Sequence, residues 1–481
     1  MKDVLFTSFE SLPFVKVGGL ADVVYALPKA INKKKYKVKV VMPLFKKIKD
    51  KYKRKLKYID QFKVKSGKIS TTLSIYTYKN ETIQYYFLDS KYFNRKNVYG
   101  YKDDDIRYSI FSLGVVEMMV KLNYYPDIIH VHDYHTSMIP AICKIKYKDN
   151  KKITGIKHIL TIHNLVYQGW YKKSILVNYF GFDKRQKTNR NLIMHNRVNF
   201  MKAGICYADA VTTVSKTYAK EIQTPKYGYN LYKLLRNNKR KLYGIVNGID
   251  TTLFSPKKDK NIKVRYDVDT YKKRKYKDKL ALQKALGLKQ DKDVLLVGMV
   301  SRLTFQKGAD LILKSINKML KTDVQIAILG TGEANIEKEF KKLSSKNSKQ
   351  FAYYCGYNEE LAHKMYAGID MLLMPSKFEP CGISQLISMS YGTLPLVRVT
   401  GGLKDTVVSL NTKTLKGTGF RFKGYSAKQF YDTYKFAYDQ YYNYPSHWNR
   451  LIKNAMRTDV SFKNSAREYE EVYKKVLKNK K

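Results

Sequence analysis

Short apolar runs rich in branched side chains recur along this chain, each followed by a longer stretch with helical spacing of its apolar positions. In the first half they are Val4–Phe6, Val38–Met42, Ile128–Val131, Ile159–Ile162 and Val211–Val214. In the second they are Val294–Val300, Val324–Leu329, Met371–Met374 and Leu394–Val399. Continuous rather than alternating apolar runs belong to strands buried on both faces, and strands alternating with helices predict parallel sheets covered by helices. The class is therefore α/β. At 481 residues the chain exceeds one ordinary domain, so two are expected. A highly charged stretch, Ser255–Asp293, has few apolar residues before Ala281, and the boundary is placed just ahead of it, near Asn247–Asp250. The predicted division is 1–247, 248–457 and a terminal segment 458–481.

Composition changes this picture only a little. A hydrophobic content of 44% supports sizeable cores and excludes a disordered chain. No apolar run has spanning length, and the opening segment lacks both a signal-peptide core and an Arg- and Ser-rich transit composition. Cys143, Cys206, Cys355 and Cys381 lie far apart, without metal-ligand or redox spacing. A soluble, cytoplasmic protein with free thiols is the expectation. The charge is extreme: 92 Lys+Arg against 40 Asp+Glu, a net +52. Such a field could hold a polyanion, but the lysines are interleaved through nearly every segment and fall into no nucleic-acid module. Tyrosine is inflated alongside lysine, at 42 residues against 2 Trp, which fits biased codon usage. Neither a nucleic-acid nor a membrane partner is expected, and the oligomeric state is not legible.

Candidate chemistry sits where strands give way to helices. Gly18-Gly19-Leu20-Ala21-Asp22-Val23 in the first half is echoed by Gly401-Gly402-Leu403-Lys404-Asp405-Thr406 in the second. Paired glycines let backbone approach an anion closely, and a helix start adds N–H groups and partial positive charge. One copy in each Rossmann-like half predicts a ligand cleft with a glycine loop on each wall, beyond the strand C-termini. Lys16 precedes the first loop. Arg302 and Lys307 share the loop after Val294–Val300, where a planar guanidinium and a point-charge ammonium suit a diphosphate. Glu379, in Phe378-Glu379-Pro380-Cys381-Gly382, either caps a helix or bonds sugar hydroxyls. His163 and Asn164 end another strand. His130, His132 and His135 lack a metal-ligand arrangement, and no metal or other cofactor is expected.

Taken together, these motifs closely resemble the bacterial and plant glycogen/starch synthase family. The resemblance runs from Lys16-Val17-Gly18-Gly19-Leu20-Ala21-Asp22-Val23-Val24 through His132-Asp133-Tyr134-His135 and Thr161-Ile162-His163-Asn164 to Val246-Asn247-Gly248-Ile249-Asp250. It continues through Ser301-Arg302-Leu303-Thr304-Phe305-Gln306-Lys307-Gly308, Pro375-Ser376-Lys377-Phe378-Glu379-Pro380-Cys381-Gly382 and Thr400-Gly401-Gly402-Leu403-Lys404-Asp405-Thr406-Val407. It implies two Rossmann-like domains facing across a deep cleft, the GT-B glycosyltransferase fold. The first would serve the acceptor side, the second would bind the nucleotide sugar, and a terminal helix near Phe462–Leu477 would cross back to the first. It further implies glucose transfer from ADP-glucose to the non-reducing end of an α-1,4-glucan, with retention of anomeric configuration.

The roles it implies are these. Lys16, Gly18 and Gly19 approach the donor, and Asp22 caps or orients their loop. Arg302 and Lys307 bind the diphosphate, and Glu379 holds glucose hydroxyls. Asn247, Cys381, Gly382, Gly401 and Gly402 belong to the donor site, and Tyr357 stacks on the base. His163 and Asn164 line the reacting sugar, with Asp133 nearby and Tyr99 in a loop near the sugar. Arg302 and Lys307, pointing away from any core, are expected to matter little for folding. Three positions depart from the family pattern: Val17 replaces a threonine, Asn230 replaces a glycine in Gly228-Tyr229-Asn230-Leu231, and Ile387 stands where related transferases carry a second glutamate. Asn230 should alter its loop, because Asn tolerates positive φ less freely than Gly. Two other readings stay open: a retaining transferase with a UDP-glucose donor or another acceptor, and a non-enzymatic glucan-binding relative.

Overall fold

The computed structural model describes residues 1–80 and 82–478. The chain divides into two compact units, Met1–Asn247 with Phe462–Lys481, and Gly248–Ser461.

Unit 1 is built on strands β1 (Lys2–Thr7), β2 (Tyr36–Pro43), β3 (Lys57–Ser66), β4 (Ile69–Lys79), β5 (Gln84–Asp89), β6 (Ile128–His132) and β7 (Lys157–Ile162). A small antiparallel sheet holds β8 (Trp170–Tyr171), β9 (Ile193–Met194) and β10 (Arg197–Asn199), and β11 (Ala210–Thr213) and β12 (Leu242–Gly244) complete the set. The main sheet runs β12-β11-β7-β6-β1-β2-β5-β4-β3, parallel from β12 to β5. At its centre Val4, Leu5, Phe6 and every residue of β6 are buried, as two-sided coverage requires. The helix Gly19–Ala30 buries Leu20, Val23, Val24 and Leu27, one face of a 3.6-residue repeat.

The antiparallel extension β3-β4-β5 is absent from the sequence prediction. Along β4, Ile69, Thr71, Leu73 and Ile75 are buried while Ser70 and Thr72 are exposed, a half-covered pattern that a search for continuous apolar runs passes over. The terminal helix Phe462–Lys478 packs in unit 1 through Phe462, Ala466, Tyr469, Tyr473 and Val476. Tyr473 reaches into the sheet, its hydroxyl 2.9 Å from Nδ1 of His130.

Unit 2 holds β13 (Leu295–Val300), β14 (Val324–Gly330), β15 (Phe351–Cys355), β16 (Met371–Met374), β17 (Leu394–Arg398) and β18 (Phe420–Phe422). The sheet is parallel throughout, in the order β15-β14-β13-β16-β17-β18. The charged stretch Ser255–Asp293 contains a packed helix, Tyr271–Ala285. It buries Lys275, whose ammonium donates to the carbonyls of Ala367 (2.6 Å) and Ile369 (3.0 Å) and to Thr393 Oγ1 (2.9 Å). Burial pulls the Lys275 amine down to about 8. Lys279 pairs with Asp370 at 2.7 Å. Composition marks these lysines as surface, whereas their paired contacts place them inside. Among the described residues no helix is long and apolar enough to cross a membrane.

Candidate active site

In unit 1 the chemistry-bearing side chains follow the C-terminal ends of β1, β6 and β7, where parallel sheets open to ligands. Asp133, directly after β6, has φ +56°. That left-handed turn lets its Oδ1 accept from the backbone N–H of His163 (2.7 Å) and of Asn164 (3.4 Å). Burial pushes the Asp133 carboxyl up to about 7, against the pull of those two N–H groups. Asp133 thus anchors the backbone of the loop that carries His163 and Asn164. His163 Nε2 lies 3.0 Å from His132 Nδ1, and the His132 ring stacks on His130 at 4.4 Å. Burial lowers His163, His130 and His135 to about 3 and His132 well below its usual value, so all four rings are neutral near pH 7.

Lys16 pairs with Asp22 Oδ1 at 2.8 Å, the lysine side chain 27% and the aspartate 11% exposed. Gly18 is extended, and a Cβ there would have nothing within 4 Å. A residue absent from the prediction joins here. Glu10, buried after β1, accepts through Oε2 from the N–H groups of Val17 (2.5 Å) and Gly18 (2.9 Å). Its Oε1 accepts from the Tyr99 hydroxyl at 2.8 Å, and the Tyr99 ring stacks on His135 at 4.5 Å. Part of the glycine loop's anion-binding backbone is therefore already satisfied by the chain itself. Glu10 is the one acidic residue between Asp3 and Asp22, a signal available in the sequence. Asn247 is buried, with Oδ1 unpaired among the described residues.

In unit 2, Lys307 pairs with Glu379 Oε2 at 2.6 Å, and Ser376 Oγ donates to the same oxygen at 3.1 Å. Glu379 is 5% exposed. Lys307 is therefore half of a largely buried pair, which corrects the expectation that it matters little for folding: removing it would leave a buried carboxylate uncompensated. Arg302 is exposed, and among the described residues its guanidinium has no ion-pair partner. Gly401 has φ +43°, and a Cβ there would lie 1.9 Å from the carbonyl oxygen of Glu379. Gly402 donates its N–H to Glu379 O at 3.1 Å, and a Cβ there would lie 2.2 Å from Cys381 O. The second glycine pair thus braces the turn Glu379-Pro380-Cys381-Gly382. Tyr357, just beyond β15, is 71% exposed.

The structure brings Lys307, Glu379, Gly401 and Gly402 together in unit 2, and Asp133, His163 and Asn164 together in unit 1. Ile387 is buried in the helix Ser384–Ser390. In the loop at 228–231 the positive φ, +48°, falls on Tyr229, while Asn230 lies within a 3₁₀ turn.

Two α/β units on largely parallel sheets, with cationic and polar side chains at their strand ends, have the architecture of the GT-B glycosyltransferases, though the fold alone does not fix the reaction. Residues 3–237 match the family model described as starch synthase catalytic domain, and residues 279–458 match glycosyl transferases group 1. Glycogen synthase of Clostridioides difficile (strain 630) is 43% identical over 478 residues, covering 98% of this chain and 99% of its own. Glycogen synthase of Caldicellulosiruptor bescii is 44% identical over 476 residues, with the same coverage. The solved catalytic domain of starch synthase IV from Arabidopsis thaliana, bound to ADP and acarbose, superimposes with a TM-score of 0.92 at 33% identity, covering 99% of both chains. Sucrose-phosphate synthase from Thermosynechococcus elongatus shares the fold alone, with a TM-score of 0.61 at 14% identity over 99% of both chains. This chain belongs to the glycogen/starch synthase family and is a glucosyltransferase.

Proposed function

We propose that the protein transfers glucose from ADP-glucose to the non-reducing end of an α-1,4-glucan, with retention, in the cytoplasm. The observation that carries this reading is the largely buried pair of Lys307, which shares the loop after β13 with the exposed Arg302, and Glu379, which follows β16. As the glycosidic bond to the donor breaks, the anomeric carbon becomes oxocarbenium-like and charge builds on the departing β-phosphate. Fixed cations aimed at that oxygen stabilise the transition state more than the ground state. Arg302 and Lys307 are assigned that task in unit 2. Lys16, Gly18 and Gly19, whose loop Asp22 orients through its pair with Lys16, are assigned contacts to the donor.

Glu379 is assigned the glucose hydroxyls. Lys307 and Ser376 engage its Oε2, which fixes the carboxylate for hydrogen bonding rather than for attack. Retention then takes the route in which the leaving phosphate accepts the proton of the incoming glucan hydroxyl on the same face. His163, neutral and carried on the loop anchored by Asp133, lines the reacting sugar with Asn164, and Tyr99 lies nearby. Asn247, Cys381, Gly382, Gly401 and Gly402 complete the donor site. Tyr357 offers an exposed ring for stacking on adenine, an interaction worth roughly 1–3 kcal/mol per base in nucleic-acid systems.

The donor assignment rests on the glycogen synthase relatives and on the Arabidopsis enzyme, which binds ADP. The test is glucan elongation by the purified protein, with glycogen as acceptor and either ADP-glucose or UDP-glucose as donor. Faster turnover of ADP-glucose is expected; equal or faster turnover of UDP-glucose overturns the donor assignment.

A further inference from the structure

Glu10 has no part in the roles set out above, and its surroundings are unusual for a carboxylate. The segment after β1 doubles back on itself: Ser11 and Val15 exchange backbone hydrogen bonds at 3.1 and 3.0 Å, and Leu12 N–H reaches Ala21 O at 3.2 Å. The Ser8 hydroxyl donates to Glu10 O at 2.8 Å and accepts from Glu10 N–H at 3.1 Å, so the backbone of Glu10 is fixed from behind. Glu10 is 4% exposed, and its carboxylate reaches forward to Val17, Gly18 and Tyr99. Val17 and Gly18 are themselves exposed, with open space where a side chain on Gly18 would be.

We propose that Glu10 is a positioning residue for the donor site, an internal anion that clasps the Val17 and Gly18 amides and the Tyr99 hydroxyl. An exposed loop with two consecutive glycines has many backbone conformations to lose. Hydrogen bonds to a charged acceptor are among the stronger ones available to fix it. Holding Val17 and Gly18 in one conformation sets where Lys16 and Gly19 stand on either side, and misplacing donor contacts by 1 Å can cost on the order of 100-fold in rate. The same carboxylate ties this loop to the Tyr99 loop, so two segments far apart in sequence are set by one group. Burial raises the Glu10 pKa above the ordinary value, against the pull of the two amides and Tyr99. The clasp therefore exists at the expense of the carboxylate's own solvation, as expected where an arrangement rather than stability is being held.

The inference rests on the proposed donor reading, and the experiment separates the two. Glu10→Gln keeps a carbonyl for the two amides and places an NH₂ toward Tyr99; Glu10→Ala removes the clasp. Hydrogen exchange of the 16–20 segment, measured without substrate, reads the clasp directly. Steady-state kinetics with ADP-glucose and glycogen read its consequence. In Glu10→Ala, exchange at Val17 and Gly18 should quicken on the order of tenfold or more. kcat/KM for ADP-glucose should fall by about 10–100-fold, while KM for glycogen stays within about twofold. Glu10→Gln should keep slow exchange and lie within about fivefold of wild type. Unchanged exchange or an unchanged donor kcat/KM in Glu10→Ala overturns the proposal. So does a Glu10→Gln protein as impaired as Glu10→Ala with its loop still protected, because the charge itself would then be what the reaction uses. If Glu10→Ala does not accumulate folded, the Gln variant decides on the same two readouts. A wild-type protein that transfers no glucose from ADP-glucose refutes the donor reading instead, and exchange still reports on the clasp.

Discussion

Gly18-Gly19 and Gly401-Gly402 are the same dipeptide in the same setting, each opening a helix beyond a strand and each near a lysine–carboxylate pair. Their surroundings differ. Gly18 is extended with empty space at its Cβ position, and its N–H is held by Glu10. Gly401 is left-handed and pressed against the Glu379 carbonyl, so that a methyl group has no room. Glycine in unit 1 keeps a surface clear, whereas glycine in unit 2 lets two backbone segments touch. The lysine pairs differ in the same sense: Lys16–Asp22 has side chains 27% and 11% exposed, Lys307–Glu379 18% and 7%. Equal sequence signals therefore carry unequal structural duties, and substitution separates them.

The largest effect is expected at Gly401. Gly401→Ala meets both a positive φ and a backbone oxygen, and should cost unit 2 about 3 kcal/mol or more, seen as a lowered melting transition together with lost activity. A melt like that of wild type would erase the contrast. Next comes Lys307→Ala, expected to lower kcat by about 10²–10³ and also to destabilise the protein by about 1–3 kcal/mol, since it leaves a buried carboxylate without its main partner. Retained stability with the same kinetic loss would return Lys307 to a purely catalytic part. Gly18→Ala should leave the melt within about 1 kcal/mol of wild type, since φ −150° is open to alanine, while raising KM for ADP-glucose if the donor needs the clear surface. An unchanged donor KM would take the first glycine pair out of the site.

The smallest effect concerns the histidines of unit 1. Their folded-state values lie below the free value of 6.5, so the unfolded chain takes up protons that the folded chain refuses as the pH falls from 6.5 toward 3. Their contribution to stability is full above 6.5 and is lost on acidification. Asp133, raised to about 7, acts in the opposite sense: its contribution is present below 3.8 and is lost as the pH rises toward 7. Ring resonances of His130, His135 and His163 should show no titration between pH 5 and 8 by NMR. A midpoint near 6.5 for His163 would contradict its neutral role beside the sugar.

Much of the molecule was legible in the chain. Buried parallel strands announce themselves because both faces need apolar side chains, and the loops that follow them carry the candidate chemistry in short motifs. What escaped did so for physical reasons. The extension β3-β4-β5 covers only one face, so its outer residues, Lys57, Lys63 and Lys65 among them, dilute the signal. Lys275 and Lys279 are buried through bonds to carbonyls and to Asp370, partners remote in sequence. Glu10 acts on backbone amides, which no motif of side chains can display. At residues 228–231 the sequence drew attention to Asn230, whereas the positive φ falls on Tyr229, a backbone state that residue type alone does not announce.

The most direct test of the central claim, that the loop after β13 neutralises a departing diphosphate, is kcat of Arg302→Ala with ADP-glucose and glycogen, measured beside its thermal melt. Arg302 is exposed and has no ion-pair partner among the described residues, so its loss reports on chemistry rather than on folding. The expected result is a fall in kcat of about 10²–10³ with the melt unchanged, only partly recovered by Arg302→Lys, which lacks the planar fork. A folded Arg302→Ala protein with near-normal kcat would show that the diphosphate is held elsewhere.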